Sequence, residues 1–371
     1  MPGSSQSDRT IGVGILGTGF ARSTQIPCFQ ATPGFEVVGI LSRNMTRAYD
    51  LAKEFGLRRA FDDLDRMLAV PEIELVAVST PPDLHLPQTL AALRAGKHVL
   101  CEKPTALHAG EAAEMLLAAR ASGKLHLLDH ELRFNPRRRR LVELIQEGFL
   151  GRVYTIEYRM AGAFRVDPSR PWSWWSDETR GGGVLGALGS HAIDAIRSWV
   201  GEIREARGHL VTVIPERPDP ETGLPRAVTA DDYAAAWLRL EKGGDVNLSL
   251  SAVSREEQWT RVALHGEKGS LILDEHQRLW KRAHADQAYV EVQVEDAPMP
   301  PPGSRVPDSP WARAFLLYAA AIRNAIRAGQ STVPGAATFE DGLKNQLVLD
   351  AIRESSKRGD WVAVDLAAAR A

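Results

Sequence analysis

The sequence predicts an α/β protein with two domains: a doubly wound parallel sheet at the N-terminus, then a C-terminal α/β domain with an open, mostly antiparallel sheet. Three observations predict this. The first third of the chain contains short apolar runs without charge, such as Ile11–Leu16, which are typical of strands buried on both faces of a parallel sheet. From residue 152 apolar and polar residues alternate instead, which is typical of half-buried antiparallel strands. The length of 371 residues allows two domains.

A glycine turn follows the first predicted strand at once, in the order Gly17, Thr18, Gly19, Phe20, Ala21 and Arg22. Glycines let the backbone approach a pyrophosphate closely, and a helix that starts there points free N–H groups at the same anion. Any tight turn favours glycine, but a second strand at 36–41 completes a strand–helix–strand unit, so we predict a dinucleotide site. The third small residue of Gly-x-Gly-x-x-Gly falls on Arg22. Either Ala21 fills that role or Arg22 reaches the cofactor phosphates.

The end of the second predicted strand bears on the choice of nicotinamide cofactor. About 20 residues past the glycines, NAD-binding folds place an acidic residue on the ribose 2′-hydroxyl. Here the strand ends in Ser42 and Arg43 instead. A hydroxyl beside a guanidinium suits a 2′-phosphate, so we predict NADP, with NAD as the alternative. The competing interpretation of Arg43 is a solvated turn residue.

Two later loops bring further polar residues to the same region. Parallel strands are predicted at 74–79, 97–101 and 124–129. Ligands bind at the carboxyl ends of strands in open α/β sheets. Thr80 and Pro81 follow the first of these strands, in a stiff loop that would lie beside the nicotinamide ribose. Glu102, Lys103 and Pro104 follow the second, so Lys103 is a candidate acid or substrate clamp, although most surface lysines are only solvated.

The predicted domain organisation is a disordered tail over residues 1–9, a nucleotide-binding domain over 10–130, and a substrate and oligomerisation domain over 131–371. Helices predicted at 311–328 and 339–356 can pack back on the first domain. Second-domain strands are predicted at 152–160, 207–214, 232–240, 245–252, 259–265 and 270–273, with proline-rich loops at 215–225 and 297–310.

A glycine-rich run in the second half leads into a histidine. The glycines at 181–183 indicate a loop with close backbone approach, and His191 and Asp194 would share one helical face. A lone histidine is most often a structural residue, but Asp194 beside it makes His191 a candidate for proton transfer. The tryptophans among residues 172–175 fit core packing as well as a pocket wall.

Charge and cysteine content argue against several function classes. The 45 Lys and Arg against 47 Asp and Glu give a net charge of −2, so the arginines at 137–140 indicate a solvated helix face rather than a nucleic-acid site. No run is long enough to span a bilayer, and no signal segment is evident. Two cysteines, Cys28 and Cys101, without zinc-type spacing predict neither a disulfide scaffold nor a metal site, and fit a reducing cytoplasm.

Together these motifs resemble the glucose–fructose oxidoreductase / inositol dehydrogenase / MocA (Gfo/Idh/MocA) family. The resemblance covers nearly everything from Ile11 to about Val364, and the motifs that carry it are 17–19, 79–82 with His85, 102–104, and the glycine run into His191 and Asp194. It implies a Rossmann domain and a second α/β domain with an open sheet. It also implies oxidation or reduction of a carbon bearing oxygen in sugars, cyclitols and related compounds, with NAD or NADP, and a homodimer or homotetramer packed through the second-domain sheet.

The resemblance also implies roles for individual residues. Lys103 would hydrogen-bond the substrate oxygen, His191 would be the main acid/base partner, and the Lys103–Pro104 bond would be cis. The implied cofactor contacts are Gly17, Gly19, Thr80, His85, Glu102 and Lys103. Asp194, Trp174 and Arg133 are assigned to the substrate. The family often has an aspartate four residues before the histidine. Here that residue is Ala187, and Asp194 is the candidate to replace the missing contact.

Two functions compete. The first is an oxidoreductase acting on a sugar-like substrate. The second is a sensor that binds the cofactor without turnover, like the family's regulators of galactose-utilisation genes. Ala187 favours the sensor slightly, whereas Lys103 and His191 together favour the enzyme more strongly, because a binder needs no pair of proton-transfer residues.

Overall fold

A computed structural model of the chain describes residues 9–369, so the predicted tail lies outside the described residues except for Arg9. The chain divides into two compact units. The first unit comprises the chain up to Thr105 together with Gly110–Pro136 and Asp296–Gly342. The second comprises Ala106–Ala109, Arg137–Glu295 and the chain from Leu343 onwards. Each unit is therefore assembled from segments that are far apart in the sequence.

The strands in chain order are β1 (Ile11–Leu16), β2 (Phe35–Leu41), β3 (Arg59–Phe61), β4 (Ile73–Val78), β5 (His98–Cys101), β6 (His126–Leu128), β7 (Val153–Ala161), β8 (Ile203–Val211), β9 (Glu216–Pro218), β10 (Pro225–Ala227), β11 (Tyr233–Leu240), β12 (Asp245–Ser251), β13 (Trp259–Gly266), β14 (Gly269–Leu273), β15 (Leu279–Ala283), β16 (Val290–Glu291), β17 (Ala337–Thr338) and β18 (Val362–Ala363). The α-helices are α1 (Ile26–Ala31), α2 (Met45–Phe55), α3 (Leu64–Leu68), α4 (His85–Arg94), α5 (Ala109–Ser122), α6 (Pro136–Gln146), α7 (Ser190–Val200), α8 (Pro310–Arg327) and α9 (Phe339–Arg358). Within residues 9–369 no helix combines the length and the apolar character needed to cross a membrane.

The first unit is organised around a seven-stranded sheet in the order β17-β6-β5-β4-β1-β2-β3. Strands β1 to β6 run parallel, and β17 joins one edge antiparallel. The chain starts at the centre with β1, moves outwards to β3, then returns to β4 and moves outwards the other way, which is the doubly wound arrangement. Every residue of β1 is buried, which explains its charge-free sequence. The predicted Rossmann sheet is confirmed.

An aromatic cluster makes α8 part of the core of this first unit. Phe29 of α1 meets Phe315 edge-on, with ring centroids 5.3 Å apart. Tyr318 stacks on Phe134 with centroids 4.5 Å apart. The Tyr318 hydroxyl donates to the Leu128 carbonyl at 2.9 Å, so its polar end is satisfied inside the core. Since burial of one such ring contributes about 1.5–3 kcal/mol, a helix from late in the chain stabilises the unit that begins at the N-terminus.

The second unit is built on a nine-stranded sheet in the order β16-β15-β14-β13-β7-β12-β11-β8-β18. Its neighbours pair antiparallel, apart from the parallel pair β7 and β12. Buried and more exposed residues alternate along β11 and β12, as the sequence pattern predicts for a sheet with one covered face. Helix α9 packs near β8, where Ser355 Oγ accepts from the backbone N–H of Gly208 at 2.9 Å. The predicted open, mostly antiparallel sheet is confirmed.

One predicted loop of the second unit is partly wrong. The proline-rich stretch at 215–225 was expected to be irregular, but β9 and β10 form a short antiparallel hairpin there. Pro218 and Pro225 lie opposite each other at one end of the ladder, in a two-stranded sheet. Proline removes a backbone donor but is tolerated on edge strands, and both strands of an isolated hairpin are edges.

Candidate active site

The glycine turn lies between β1 and a π-helical turn at Ala21–Gln25 that leads into α1. Gly17 has a φ of +101°, and a Cβ there would lie 2.3 Å from the Ser79 carbonyl oxygen. At Gly19 the situation is opposite, since the residue is exposed and a Cβ would meet nothing within 4 Å. Ala21 is fully buried at the start of the turn. Glycine is therefore required at residue 17 by backbone crowding, whereas at residue 19 it leaves open space beside the turn.

Neighbouring residues of this turn have different surroundings. Thr18 and Phe20 are partly exposed on either side of Gly19. The Arg22 guanidinium forms an ion pair with Glu54 of α2, with Nε 3.0 Å from Oε2. Its side chain is 62% exposed, so the pair is weakly held and screened by solvent. The predicted contact of Arg22 with cofactor phosphates stays a prediction, and it would compete with Glu54.

The end of β2 holds the residues predicted to select the cofactor. Ser42 donates its backbone N–H to Phe61 at 3.0 Å, and its Oγ accepts from the Asn44 N–H at 3.2 Å. Arg43 is exposed and has no hydrogen-bond or ion-pair partner among residues 9–369. Asn44 caps α2 by accepting from the Arg47 N–H at 3.0 Å. A free guanidinium therefore stands at the N-terminus of a helix, where anions are favoured.

His85 links the two loops that follow β4 and β5. Its Nε2 lies 2.9 Å from the Thr80 carbonyl oxygen and its Nδ1 lies 3.0 Å from the Pro104 carbonyl oxygen. The ring is fully buried, and burial lowers the pKa of His85 below its ordinary value of 6.5. Pro81 begins the short turn before α4, and the Thr80 hydroxyl donates to Gln88 at 2.6 Å. Both loops are thereby held at the carboxyl edge of the sheet.

The turn that carries Lys103 rests on a buried acidic cluster. The Lys103–Pro104 peptide is cis, as the resemblance implies. The backbone N–H of Lys103 donates to Glu102 Oε2 at 3.3 Å. Gln25 Nε2 donates both to Glu102 Oε1 at 3.0 Å and to Asp129 Oδ2 at 2.8 Å. Burial, followed by the neighbouring Asp129, raises the pKa of Glu102 well above its ordinary value, and burial raises the pKa of Asp129 to about 6.

Arg133, predicted to bind the substrate, has a structural partner in the first unit. Its guanidinium Nη2 lies 3.2 Å from Asp341 Oδ1, and its side chain is 15% exposed. A partly buried ion pair of this kind is screened less by solvent than the Arg22 pair. Its substrate role remains a prediction.

In the second unit His191 and Asp194 both lie on α7 and are buried. Their spacing places them on one face of the helix, as predicted. Asp194 Oδ1 accepts from Asn345 Nδ2 at 3.0 Å, and Asn345 Oδ1 accepts from Arg197. Arg197 in turn donates to Glu202 at 2.7 Å. Asp194 is therefore one end of a polar chain that ties α7 to α9.

The glycine run before His191 is shaped by Asp231. Gly183 has a φ of +106°, and a Cβ there would lie 2.3 Å from Asp231 Oδ1. The backbone N–H groups of Val184 and Leu185 donate to the Asp231 carbonyl oxygen at 2.9 Å and to Oδ2 at 2.8 Å. Burial raises the pKa of Asp231 to about 6. Asp231 thus holds the start of a π-helical turn, Leu185–Gly189, that contains Ala187 and leads directly into α7.

Trp174 lies in a short turn that packs against the same glycine run. A Cβ at Gly182 would lie 2.6 Å from the carbonyl oxygens of both Trp174 and Trp175, so glycine is needed for the close approach. The Trp174 and Trp175 rings are tilted, with centroids 5.7 Å apart. Trp172 stacks instead on Arg226, whose Cζ is 3.4 Å from the ring centroid, so it belongs with the β9–β10 hairpin.

Both halves of the chain match models of known protein families. A family model described as an oxidoreductase family with an NAD-binding Rossmann fold matches residues 11–130. The model of the Gfo/Idh/MocA C-terminal domain matches residues 138–272. The chain belongs to the Gfo/Idh/MocA family. It is accordingly an oxidoreductase with an NAD-binding domain, and its predicted family membership is confirmed.

Relatives of this Gfo/Idh/MocA oxidoreductase match it over nearly the whole length. An uncharacterized oxidoreductase of Synechocystis sp. is 30% identical over 95% of both chains. Levoglucosan dehydrogenase of Pseudarthrobacter phenanthrenivorans is 28% identical over 96% of this chain and 98% of its own. A solved structure of levoglucosan dehydrogenase in complex with NADH and L-sorbose has a TM-score of 0.87 and 26% identity, covering 98% of this chain and 100% of the other. These relatives are named as enzymes, so the sensor alternative is not favoured.

Three residues of these sites were missed by sequence reasoning: Gln25, Asp129 and Asp231. Asp129 ends a predicted strand, which is a position where ligands bind in such sheets, so a local signal existed. Gln25 and Asp231 act on loops 77 and 46 residues away, respectively. No local pattern identifies such partners.

Proposed function

We propose that this Gfo/Idh/MocA protein is an NAD(P)-dependent dehydrogenase that oxidises or reduces a hydroxyl-bearing carbon of a sugar, cyclitol or related compound. The observation that supports it best is the open space at Gly19, at the start of a helical segment. The first N–H groups of such a segment have no partner within it and favour an anion. The residues present therefore fit the pyrophosphate of a dinucleotide. The Lys103 turn follows β5, which puts a lysine at the carboxyl edge of the same sheet.

The chain's own residues would handle the proton in this reaction. When bound, the nicotinamide ring accepts or donates the hydride. We assign Lys103 to donate a hydrogen bond to the substrate oxygen, and His191 to take the hydroxyl proton during oxidation and return it during reduction. Asp194 and Trp174 are assigned to the substrate, because both belong to the segments that position His191.

For the cofactor we propose NADP in preference to NAD. Ser42 and the unpartnered, exposed Arg43 at the N-terminus of α2 support it, because a planar guanidinium binds phosphate in a fork. The levoglucosan dehydrogenase structure contains NADH, which favours the alternative. Arg43→Ala is expected to raise KM for NADPH about tenfold or more and to leave KM for NADH nearly unchanged. Arg66→Ala, which removes another exposed arginine of the first unit, is the control. An unchanged preference in Arg43→Ala would contradict the assignment.

The function itself is tested by titrating purified protein with NADPH and NADH, then following reduced-nicotinamide absorbance. The panel contains sugars, keto-sugars and inositols. It includes levoglucosan and L-sorbose, because a similar solved structure is a levoglucosan dehydrogenase in complex with L-sorbose. Lys103→Ala should lower kcat by about 10²–10⁴-fold while the cofactor still binds, and Lys53→Ala, an exposed lysine of α2, should not. Tight cofactor binding without turnover across the panel would support the sensor instead.

We also propose a cytoplasmic homodimer or homotetramer. Trp237 on β11 is 56% exposed, its partner Asn247 on β12 is exposed, and so is Glu157, the partner of Asn247 on β7. A large exposed aromatic on a sheet face is typical of an interface. Trp237→Arg is expected to reduce the mass measured by light scattering, whereas Leu224→Arg, beside the β9–β10 hairpin, should not. A monomeric wild type would contradict the proposal. Both cysteines are free, which supports a reducing compartment.

A further inference from the structure

Two carboxyl groups lie in contact beneath the Lys103 turn. Glu102 is 8% exposed, and Asp129 and Gln25 are fully buried. The Gln25 amide uses its two hydrogens on the two acids, at 3.0 Å and 2.8 Å. The carboxyl groups of Glu102 and Asp129 also lie within hydrogen-bonding distance of each other. This arrangement belongs to the first unit alone.

If the two carboxyl groups share a hydrogen bond, one of them carries the hydrogen, because an ionised carboxylate has none to donate. Gln25 cannot supply it, since its amide hydrogens already point to both acids. Asp129 Oδ1 is buried without a hydrogen-bond partner among residues 9–369, a state that a protonated neighbouring carboxyl group would relieve. No group of three or more His, Cys, Asp or Glu side chains in residues 9–369 is placed to hold a metal ion.

We propose that Glu102 and Asp129, bridged by Gln25, share one proton at neutral pH and act as a positioning pair that sets the charge beneath Lys103. The pair then carries a single negative charge next to the turn whose backbone N–H donates to Glu102. This proposal goes beyond the assigned roles of Lys103 and His191. Its effect on turnover rests on the proposed dehydrogenase function, whereas the sharing of the proton does not.

The charged and titratable groups around the pair agree with one shared proton. Lys103 interacts electrostatically with both acids, and Glu131 beyond β6 adds a negative charge that opposes full ionisation. The thiols of Cys28 on α1 and Cys101 on β5 are buried, and burial raises the pKa of both, so they remain neutral. Two ionised carboxylates in contact would repel each other at low dielectric. The single positive charge of Lys103 does not offset that repulsion, because Glu131 adds a further negative charge.

The titration follows from the direction of each shift. Burial and the neighbouring Asp129 raise the pKa of Glu102 well above its ordinary value, so Glu102 is the acid on which we place the shared proton. Asp129, with a pKa of about 6, is ionised above that value and protonated below it. The charge beneath Lys103 is thus about −1 above pH 6 and close to zero below it.

The shared proton is tested first on the protein without any cofactor. Infrared difference spectroscopy in H₂O and D₂O at about pH 8 should show the carbonyl band of one protonated carboxylic acid. The band should disappear in Glu102→Gln, which removes the protonated acid. It should shift in frequency in Asp129→Asn, because the partner of the shared proton changes while burial still raises the pKa of Glu102. It should stay unchanged in Asp274→Asn, which removes a buried carboxylate of the second unit. If wild-type protein shows no protonated carboxyl above about pH 7, the proposal is wrong.

The positioning role is tested by the pH profile of kcat. In the wild type kcat should fall as pH drops through about 6, because the negative charge is lost. Asp129→Asn removes that charge at every pH, so kcat at about pH 7.5 should fall about tenfold and the acidic limb should flatten. Asp274→Asn should leave the acidic limb of the kcat profile at the same pH as in the wild type. A variant Asp129→Asn whose limb stays in place at reduced height would overturn the positioning role. A wild type that shows the infrared band but no turnover would instead reject the dehydrogenase function alone.

Discussion

Two alanine substitutions in the glycine turn are expected to have opposite effects. Gly17→Ala puts a Cβ 2.3 Å from the Ser79 carbonyl oxygen, at a φ of +101°. A sparsely populated backbone conformation costs about 1–3 kcal/mol, and the clash with backbone adds about 1–3 kcal/mol. Gly17→Ala should therefore destabilise the protein by about 2–6 kcal/mol. Gly19→Ala meets no atom within 4 Å and has no positive φ, so its stability should change by less than about 1 kcal/mol.

The affinity for the cofactor should also distinguish the variants, because here Gly19→Ala is expected to show the large effect. The new methyl of Gly19→Ala would occupy the space that we propose for the pyrophosphate, so NADPH and NADH should bind about 10–100-fold more weakly. Gly56→Ala is the matched control, because Gly56 caps α2 at a φ of +64° with nothing within 4 Å. It should cost about 1 kcal/mol and leave affinity unchanged.

The assay combines urea unfolding of the protein without cofactor with fluorescence titration of each folded variant. Gly19→Ala with wild-type affinity for both cofactors would show that the open space does not hold the dinucleotide. If Gly17→Ala has wild-type stability, a Cβ at residue 17 does not clash with the Ser79 carbonyl oxygen, and the reasoning from backbone crowding is refuted.

Three further outcomes are expected. Asp231→Ala removes the acceptor of the Leu185 N–H and should cost about 1–2 kcal/mol in urea unfolding, whereas Asp231→Asn should cost less. Cys28 and Cys101, buried with raised thiol pKa, should resist a thiol reagent until the protein unfolds, and a fast-reacting native thiol would contradict this. His85 has a folded pKa below 6.5, so the unfolded chain binds its proton first and stability should fall as pH drops below 6.5. The wild-type minus His85→Gln difference in unfolding free energy should be largest and independent of pH above about pH 7.5, and should shrink as pH drops below 6.5.

The elements that were predictable from sequence are those whose signal is local. The charge-free run of β1 and the alternation along β7 identify a strand and its burial without any partner in view. The glycine turn was recognisable because the residues before and after it have strand and helix patterns. The helix with His191 and Asp194 on one face follows from their spacing alone.

What could not be predicted depends on partners far along the chain. The ion pair between the Arg22 guanidinium and Glu54, which α2 brings close, has no signal in the sequence around Arg22. Asp129 and Gln25 meet beneath the Lys103 turn only because β6 and the first helical turn approach the same strand end. The helix predicted after Gly19 begins with π-helical geometry, which no periodicity signals.

The split construction of the first unit has a consequence for biosynthesis. Phe29 and Phe134 leave the ribosome early, but their partners Phe315 and Tyr318 belong to α8, 286 and 184 residues later, respectively. At about 5–20 residues per second, these rings wait about 10–60 s without the helix that covers them. The nascent N-terminal sheet therefore exposes apolar surface while strands β7 to β16 are being made. Stop codons before α8 should yield an aggregating chain rather than a free-standing nucleotide-binding domain.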